Sequence, residues 1–412
     1  MKTDLDALME EKDPDGLLIT GPAQHNPAMV YMTGGGHLTT ADLIKVKGEA
    51  PVLFYNPMER DEAAKSGLTT HNLADYNFIE LLNISNGDYP LASARRYQRM
   101  FSELGVTQGK IALYGRSEIG ASYAIFSALQ SEMPRLNLVG ETNDSVLMLA
   151  RMTKDENEVE RIRRMGKITT EVVGLTADYI TSQRARDGVL VKQDGNPLTI
   201  REVKQHINLW LAERGAENPE DTIFAIGRDA GVPHSSGNPD DSLMLGQTIV
   251  FDIYPCEAGG GYYYDFTRTW CLGYAPDEVL SLYETVLSAY QQVSNKLEAN
   301  QPFKRYQEMV SAIFTGQGHP TIQQDPMTQR GYVHSLGHGI GLNVHERPFS
   351  GSTSDEKDCL VPGAVFTLEP GLYYPERGIG VRLEDSLRVC PDGGMEILAD
   401  YPLDLVLPVK NR

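Results

Sequence analysis

Four acidic residues in the second half of the chain stand where acids are rare. Asp252 lies inside the apolar run QTIVFDIYP, Asp265 inside GGYYYDFTRTW, Glu369 follows AVFTL, and Glu384 follows GVRL. Runs this rich in β-branched and aromatic residues read as strands, and a carboxylate set into one is costly to bury unless something pairs with it. Singly, each acid reads as a strand-end carboxylate, half-exposed or paired with an arginine such as Arg268 or Arg382. Together they read differently, because no lysine or arginine stands immediately beside Asp252 or Glu369. Two carboxylates about 4 Å apart repel by about 4 kcal/mol at an effective dielectric near 20. Acids that converge therefore need protons or cations, and divalent metal ions are the usual solution.

Histidines supply the second signal. Three of the nine, His334, His338 and His345, fall within HSLGHGIGLNVHERP. His334 and His338 have a metal-binding spacing if the segment is helical, but Gly337, Gly339 and Gly341 argue that it is not, so both need not point at one ion. The HExxH zinc-protease motif is absent. The G-x-G-x-G pattern superficially suggests a phosphate loop, yet no basic residue is at hand to hold a phosphate. A further histidine, His234, follows Gly231 and Pro233 and precedes Asp252 by eighteen residues.

These residues need elements to position them. The 412 residues allow two or three domains of roughly 100–200 residues each. With 41% hydrophobic residues and 23% charged, there is apolar material for more than one core. The first 150 residues read as mixed α/β: GLLIT, PVLFY and KIALYG are strand-like, and the triple glycine in MTGGGHLTTAD reads as a turn without dinucleotide spacing. Near residue 150 the composition changes. Thr153 and Glu156 have capping-box spacing before the amphipathic run NEVERIRRMGKITTEVVGL, as do Thr199 and Glu202 before Val203, Ile207, Trp210 and Leu211, with Gly215 as the stop. A third helix is expected over Asp277–Leu297, and the domain boundary at about 152.

Charge and cysteine usage narrow the function. The net charge of −19 repels phosphate backbones and anionic membranes, so neither nucleic acid nor a membrane is an expected partner. The acidic start MKTDLDALMEEKDPDG does not resemble a signal peptide, and no segment approaches 18 uninterrupted apolar residues. Cys256, Cys271, Cys359 and Cys390 form no C-x-x-C pair, which argues against a thiolate zinc site and for free buried thiols in a reducing cytoplasm.

The order of these residues resembles a known family. Asp252, the aspartate of YYYDFTRT (Asp265), His338 in HSLGHGIGLNVHE, Glu369 in LEPG and Glu384 in VRLED resemble, in order, the five metal ligands of the pita-bread metallopeptidases. That group holds methionine aminopeptidase, aminopeptidase P, prolidase and the metal-free creatinase. The resemblance covers residues 153–412 through its motifs. NPAMVYMTGG (26–35) and LARMTKDENEVERIRR (149–164) sit where the creatinase, prolidase and aminopeptidase P branch has its strand-turn and linker-helix segments. One departure stands out: Tyr254 occupies a position that is usually glycine, and the Asp252–Asp265 connection, CEAGGGYYY included, is about two residues longer than usual, with a bulge expected at its glycines.

The resemblance implies an α/β N-terminal domain with a mixed sheet, like that of creatinase and prolidase (1–152), and an α+β pita-bread catalytic domain (153–412). Its five ligands, four hard carboxylates and one imidazole, suit two divalent ions, Mn²⁺ first and Co²⁺, Fe²⁺ or Zn²⁺ after it. Asp265 and Glu384 would bridge them. Ions roughly 3.5–4 Å apart activate water at neutral pH and polarise a carbonyl. The resemblance further implies that His234 and His345 meet the substrate and the tetrahedral intermediate, that Glu369 also shuttles a proton, that His334 forms a pocket wall, and that Arg382 orients the bridging carboxylate. The implied activity is hydrolysis of the bond between an N-terminal residue and proline in a peptide substrate, by a cytoplasmic homodimer. Another small-molecule hydrolase of the branch, or a binding protein without catalysis, remains open at this point.

Overall fold

The structure, a computed structural model, describes residues 4–142, 144–352 and 354–409. By contact the chain divides into two units, Met1–Arg151 with Gly259–Gly261, and Met152–Ala258 with Tyr262–Arg412.

The first unit is built on a six-stranded mixed sheet in the order Thr69–Asn72, Val52–Tyr55, Ala41–Val46, Gly16–Gly21, Gly109–Gly115, Leu136–Gly140. Leu17 and Ile19 face one core with Leu43 and Leu53, while Leu18 faces a second with Ile44 and Phe54. Alternate strand residues point to opposite faces, and burial of both faces is why GLLIT and PVLFY are unbroken apolar runs. The segment expected to be a strand and turn, NPAMVYMTGG, is instead the helix Pro27–Thr33. Asn26 caps it by accepting from the Met29 N–H (3.4 Å), Pro27 needs no partner for a donor it lacks, and Gly34 ends it at φ +81°.

The second unit carries two larger sheets. One orders Ile223–Ile226, Thr248–Ile253, Phe266–Leu272 and Val406–Leu407; the other orders Glu346–Phe349, His338–Gly339, Val365–Leu368, Asp385–Val389 and Met395–Ile397. A backbone bridge between Thr267 and Glu384 joins them, with hydrogen bonds of 3.0 and 3.4 Å. The helices Asp277–Ser294 and Lys304–Gly316 bury Val286 and Tyr306 in a core shared with Phe366 and Leu387. No helix among the described residues is long and apolar enough to cross a membrane.

The helix Glu156–Thr181 begins with a capping box, but at Asp155 and Glu158 rather than at Thr153 and Glu156. Thr153 is held extended by a bridge to Ala364, and the Lys154 N–H by the Gly363 carbonyl (2.7 Å), so neither can enter the helix. The box at Thr199 and Glu202 forms as expected, and Val203, Ile207 and Leu211 are buried. Trp210 is only half-buried, at the edge of that stripe against Tyr179 and His206.

Lys154 and Glu346 form a fully buried ion pair at 3.1 Å, and Glu346 also accepts from the Leu342 and Asn343 N–H groups (3.0 and 3.1 Å). Breaking a buried pair leaves a charge without its counter-charge, at a loss of about 3–5 kcal/mol. Lys154→Met is expected to lower the unfolding free energy by about that much in urea, and the double variant with Glu346→Gln to recover most of it.

Candidate active site

Asp252 alone among the four acids lies within a strand, Thr248–Ile253, where it pairs with Ile223 on one side and Thr267 on the other. Asp265 immediately precedes the strand Phe266–Leu272, and its carbonyl accepts from the Ser386 hydroxyl (2.8 Å). Glu369 follows Val365–Leu368, with its N–H on the Leu336 carbonyl (2.8 Å). Glu384 sits between Ile379–Arg382 and Asp385–Val389, and its Oε2 accepts from the Thr267 hydroxyl (2.7 Å). His338 opens a two-residue strand. The glycines beside it are required by close approach: a Cβ on Gly337 would lie 2.0 Å from the Thr367 carbonyl oxygen, and one on Gly339 2.0 Å from that of Arg347.

These elements bring the five residues together around one cavity of about 450 Å³, which also has His234, His334, His345 and Arg382 on its walls. Donor atoms of Asp265, His338 and Glu384 all lie within 4.8 Å of one another, and His338 Nε2 is 3.4 Å from Glu369 Oε1. His338 Nδ1 is 3.1 Å from the Gly339 carbonyl, which places the ring proton there and leaves the Nε2 lone pair facing the acids. Burial holds the imidazole neutral, its pKa pulled down to about 3.

Three buried carboxylate oxygens, Asp252 Oδ1, Asp265 Oδ1 and Glu384 Oε1, have no hydrogen-bond partner. Burial first, and the neighbouring carboxylates second, push Asp265 and Glu384 well above the usual carboxylate range. Such oxygens are stable as anions only beside cations. The donor set therefore fits divalent metal, and Asp252, Asp265, His338, Glu369 and Glu384 are the residues that would hold it.

Of the two arginines read as possible partners of these acids, Arg382 takes that role and Arg268 does not. Arg268 pairs with none of the four acids. Buried in its strand, it donates from Nε to the Pro402 carbonyl, from Nη1 to those of Thr267 and Glu384, and from Nη2 to Asp385 and the Tyr401 carbonyl, all at 2.8–3.0 Å. It thus fixes the backbone of Glu384. Arg382 pairs with Asp252, its Nη2 2.5 Å from Oδ2, and its Nε donates to the Thr267 hydroxyl (3.1 Å), which in turn donates to Glu384 Oε2.

Tyr373, which no sequence motif marked, completes this arrangement. Its oxygen accepts from Arg382 Nη1 and is 2.8 Å from His334 Nε2. An oxygen that accepts from a guanidinium donates its own proton onward, so His334 Nε2 is the acceptor and Nδ1–H donates to the Ser335 carbonyl (2.7 Å). Both nitrogens of His334 are committed within the protein, so this expected pocket-wall residue offers the cavity the side of its ring. His234 and His345 are exposed at the cavity, and the His345 ring centroid is 4.3 Å from that of His338. Tyr254 points into the same cavity, and the glycines Gly259 and Gly260 turn the long connection at φ +89° and +82°.

Hard oxygen donors and one neutral imidazole, gathered where two sheets of an α+β unit meet, define a metal-dependent hydrolase of the pita-bread class. Residues 160–391, more than half the chain, match the profile of metallopeptidase family M24, and the chain belongs to that family. It is 31% identical over 62% of its length to a putative dipeptidase, YkvY, of Bacillus subtilis, and spans 63% of the length of that relative. It is 25% identical to an Xaa-Pro dipeptidase of Pyrococcus horikoshii over 94% of each chain. The fold is that of the Xaa-Pro dipeptidase from Bacillus anthracis, with a TM-score of 0.75 at 23% identity over 98% of this chain and 97% of the other.

Proposed function

We propose that the protein is an exopeptidase, dependent on two divalent ions, that hydrolyses the bond between an N-terminal residue and proline. The observation that carries this is the convergence of four acids and His338 on one cavity, with three buried oxygens unpaired. The names borne by the Pyrococcus and Bacillus relatives support the choice of Xaa-Pro substrates.

Bound divalent ions would activate water and polarise the scissile carbonyl. The chain's own residues supply the rest. Arg382 holds Asp252 in place, and Thr267 holds Glu384, so the ligands do not reorganise during reaction. Glu369, half-buried where the other three acids are buried, is the carboxylate placed to take a proton and return it to the departing proline nitrogen. His234 and His345 are donors at the cavity that meet the carbonyl oxygen as it gains charge.

Mn²⁺ as the working metal, a homodimer and a cytoplasmic location belong to this same reading. The experiment is a metal-titrated peptide series from Xaa-Pro through Xaa-Pro-Yaa-Zaa, with Xaa-Ala as the control. Cleavage is expected for the proline peptides after Mn²⁺ loading and to vanish with chelator. Chain-length preference then separates dipeptidase from aminopeptidase. Equal turnover of Xaa-Ala, or full activity in exhaustively chelated protein, contradicts the proposal.

A further inference from the structure

We propose that Glu220 and Tyr254 form a cation-binding wall of the substrate cavity, holding an ammonium or guanidinium group of the bound peptide. The inference rests on the peptidase reading above and deepens it.

Strand register places these residues. Ile223 pairs with Asp252 in antiparallel fashion, so continuing the pairing two places outward sets Asp221 opposite Tyr254, with Glu220 beside it. Asp252 and Tyr254 are two apart on one strand and its extension, hence on one face, and both line the cavity. The Asn218–Asp221 turn is anchored: the Asp221 N–H reaches the Asn218 carbonyl (3.4 Å), Asn218 Nδ2 the Thr222 hydroxyl (2.8 Å), and Asp221 Oδ2 accepts from Lys204 (2.9 Å). Glu220, held out by that turn, is exposed and has no hydrogen-bond or ion-pair partner among the described residues.

The roles of the other acids make that carboxylate informative. The cavity is lined by six acids and, apart from histidines, one cation, Arg382, which is bound to Asp252. Four of those acids would hold the divalent ions, and Asp221 already has Lys204. Glu220 is the acid left over. The Tyr254 ring lines the same cavity, close enough for the Glu220 charge to help push its hydroxyl pKa up. A carboxylate and an aromatic face on one wall is an arrangement that attracts organic cations, through an ion pair and through the ring quadrupole. Two groups of a peptide supply that chemistry: the α-ammonium common to all, and the side chain of an N-terminal lysine or arginine.

The test compares Mn²⁺-loaded native protein with Glu220→Gln and Tyr254→Leu on Lys-Pro, Arg-Pro, norleucyl-Pro and Glu-Pro. Glu220→Gln is expected to raise KM about tenfold with kcat within about twofold, the size of one charge-assisted contact. Tyr254→Leu should raise it by less. A rise confined to Lys-Pro and Arg-Pro assigns the wall to the side chain; an equal rise for all four assigns it to the α-ammonium. An unchanged KM across the panel in Glu220→Gln overturns the inference. Calorimetric titration with lysinamide and norleucinamide needs no chemistry, so it decides the matter even if no proline peptide is cleaved. Weaker binding of an amide by Glu220→Gln supports the wall. Equal binding, or none to the native protein, overturns it.

Discussion

Asp265→Ala is expected to have no measurable peptidase activity and to bind less than the two ions per chain expected of the native protein, while remaining folded. The aspartate contributes a donor within 4.8 Å of those of Glu384 and His338, and its Oδ1 has no protein partner to lose. Removing it relieves a buried cluster in which each carboxylate disfavours ionisation of the others. Like charges about 4 Å apart repel by about 4 kcal/mol at an effective dielectric of 20. The chelated variant should therefore melt no lower than chelated native protein, whereas the rise in Tm on adding Mn²⁺ should shrink or vanish. Elemental analysis and a pair of melting curves check both halves. A variant that keeps two ions, or full turnover, contradicts the ligand assignment.

The second large effect divides the histidines of one motif. His338→Ala is expected to lower metal content, because its Nε2 lone pair faces Asp265 and Glu369 at 3.8 and 3.4 Å. His345→Ala should leave both ions bound, since its ring is exposed at the cavity rather than directed into the acid cluster. It should nonetheless lose about 10²–10³-fold in kcat, the usual effect of removing one donor that meets developing charge. The loss should appear in kcat/KM to the same extent, as for a contact made in the transition state. Metal stoichiometry and steady-state kinetics on the two variants, side by side, settle the division. Loss of metal in His345→Ala but not in His338→Ala reverses it.

The acids were legible because each breaks a local rule. A carboxylate inside TIVFDI or at the edge of VFTLE conflicts with its own strand, and that conflict is visible within ten residues. The mixed α/β character of the first unit was legible from unbroken apolar runs, which are local patterns, whereas the pita-bread class of the second came from the likeness of its five-residue order to a known family. What the sequence hides is pairing at a distance. Arg382 could be read as a partner for an acid, but nothing near it says that the acid is Asp252, 130 positions away, or that Tyr373 accepts from it and fixes the tautomer of His334. Arg268 looked like a counter-charge for a site acid and is a backbone clamp. Thr153 had the spacing of a cap, but a tertiary bridge to Ala364 overrides the local preference and moves the cap to Asp155. Glu220 breaks no local rule in an exposed acidic turn and gave no signal at all.

The bridge between Thr267 and Glu384 has a consequence for how the protein is made. Asp252 and Asp265 leave the ribosome well before Glu384, yet Glu384 receives its hydroxyl donor, its backbone partners and its arginine clamp from residues 267 and 268. The nascent chain thus carries its first two acids without the strand that closes the set, and a chain stopped anywhere short of residue 384 has no complete binding place. Completion of the donor set is for this reason a late event in the synthesis of the polypeptide. It follows synthesis of the first 384 residues, and a chain stopped before Glu384 is expected to hold fewer ions.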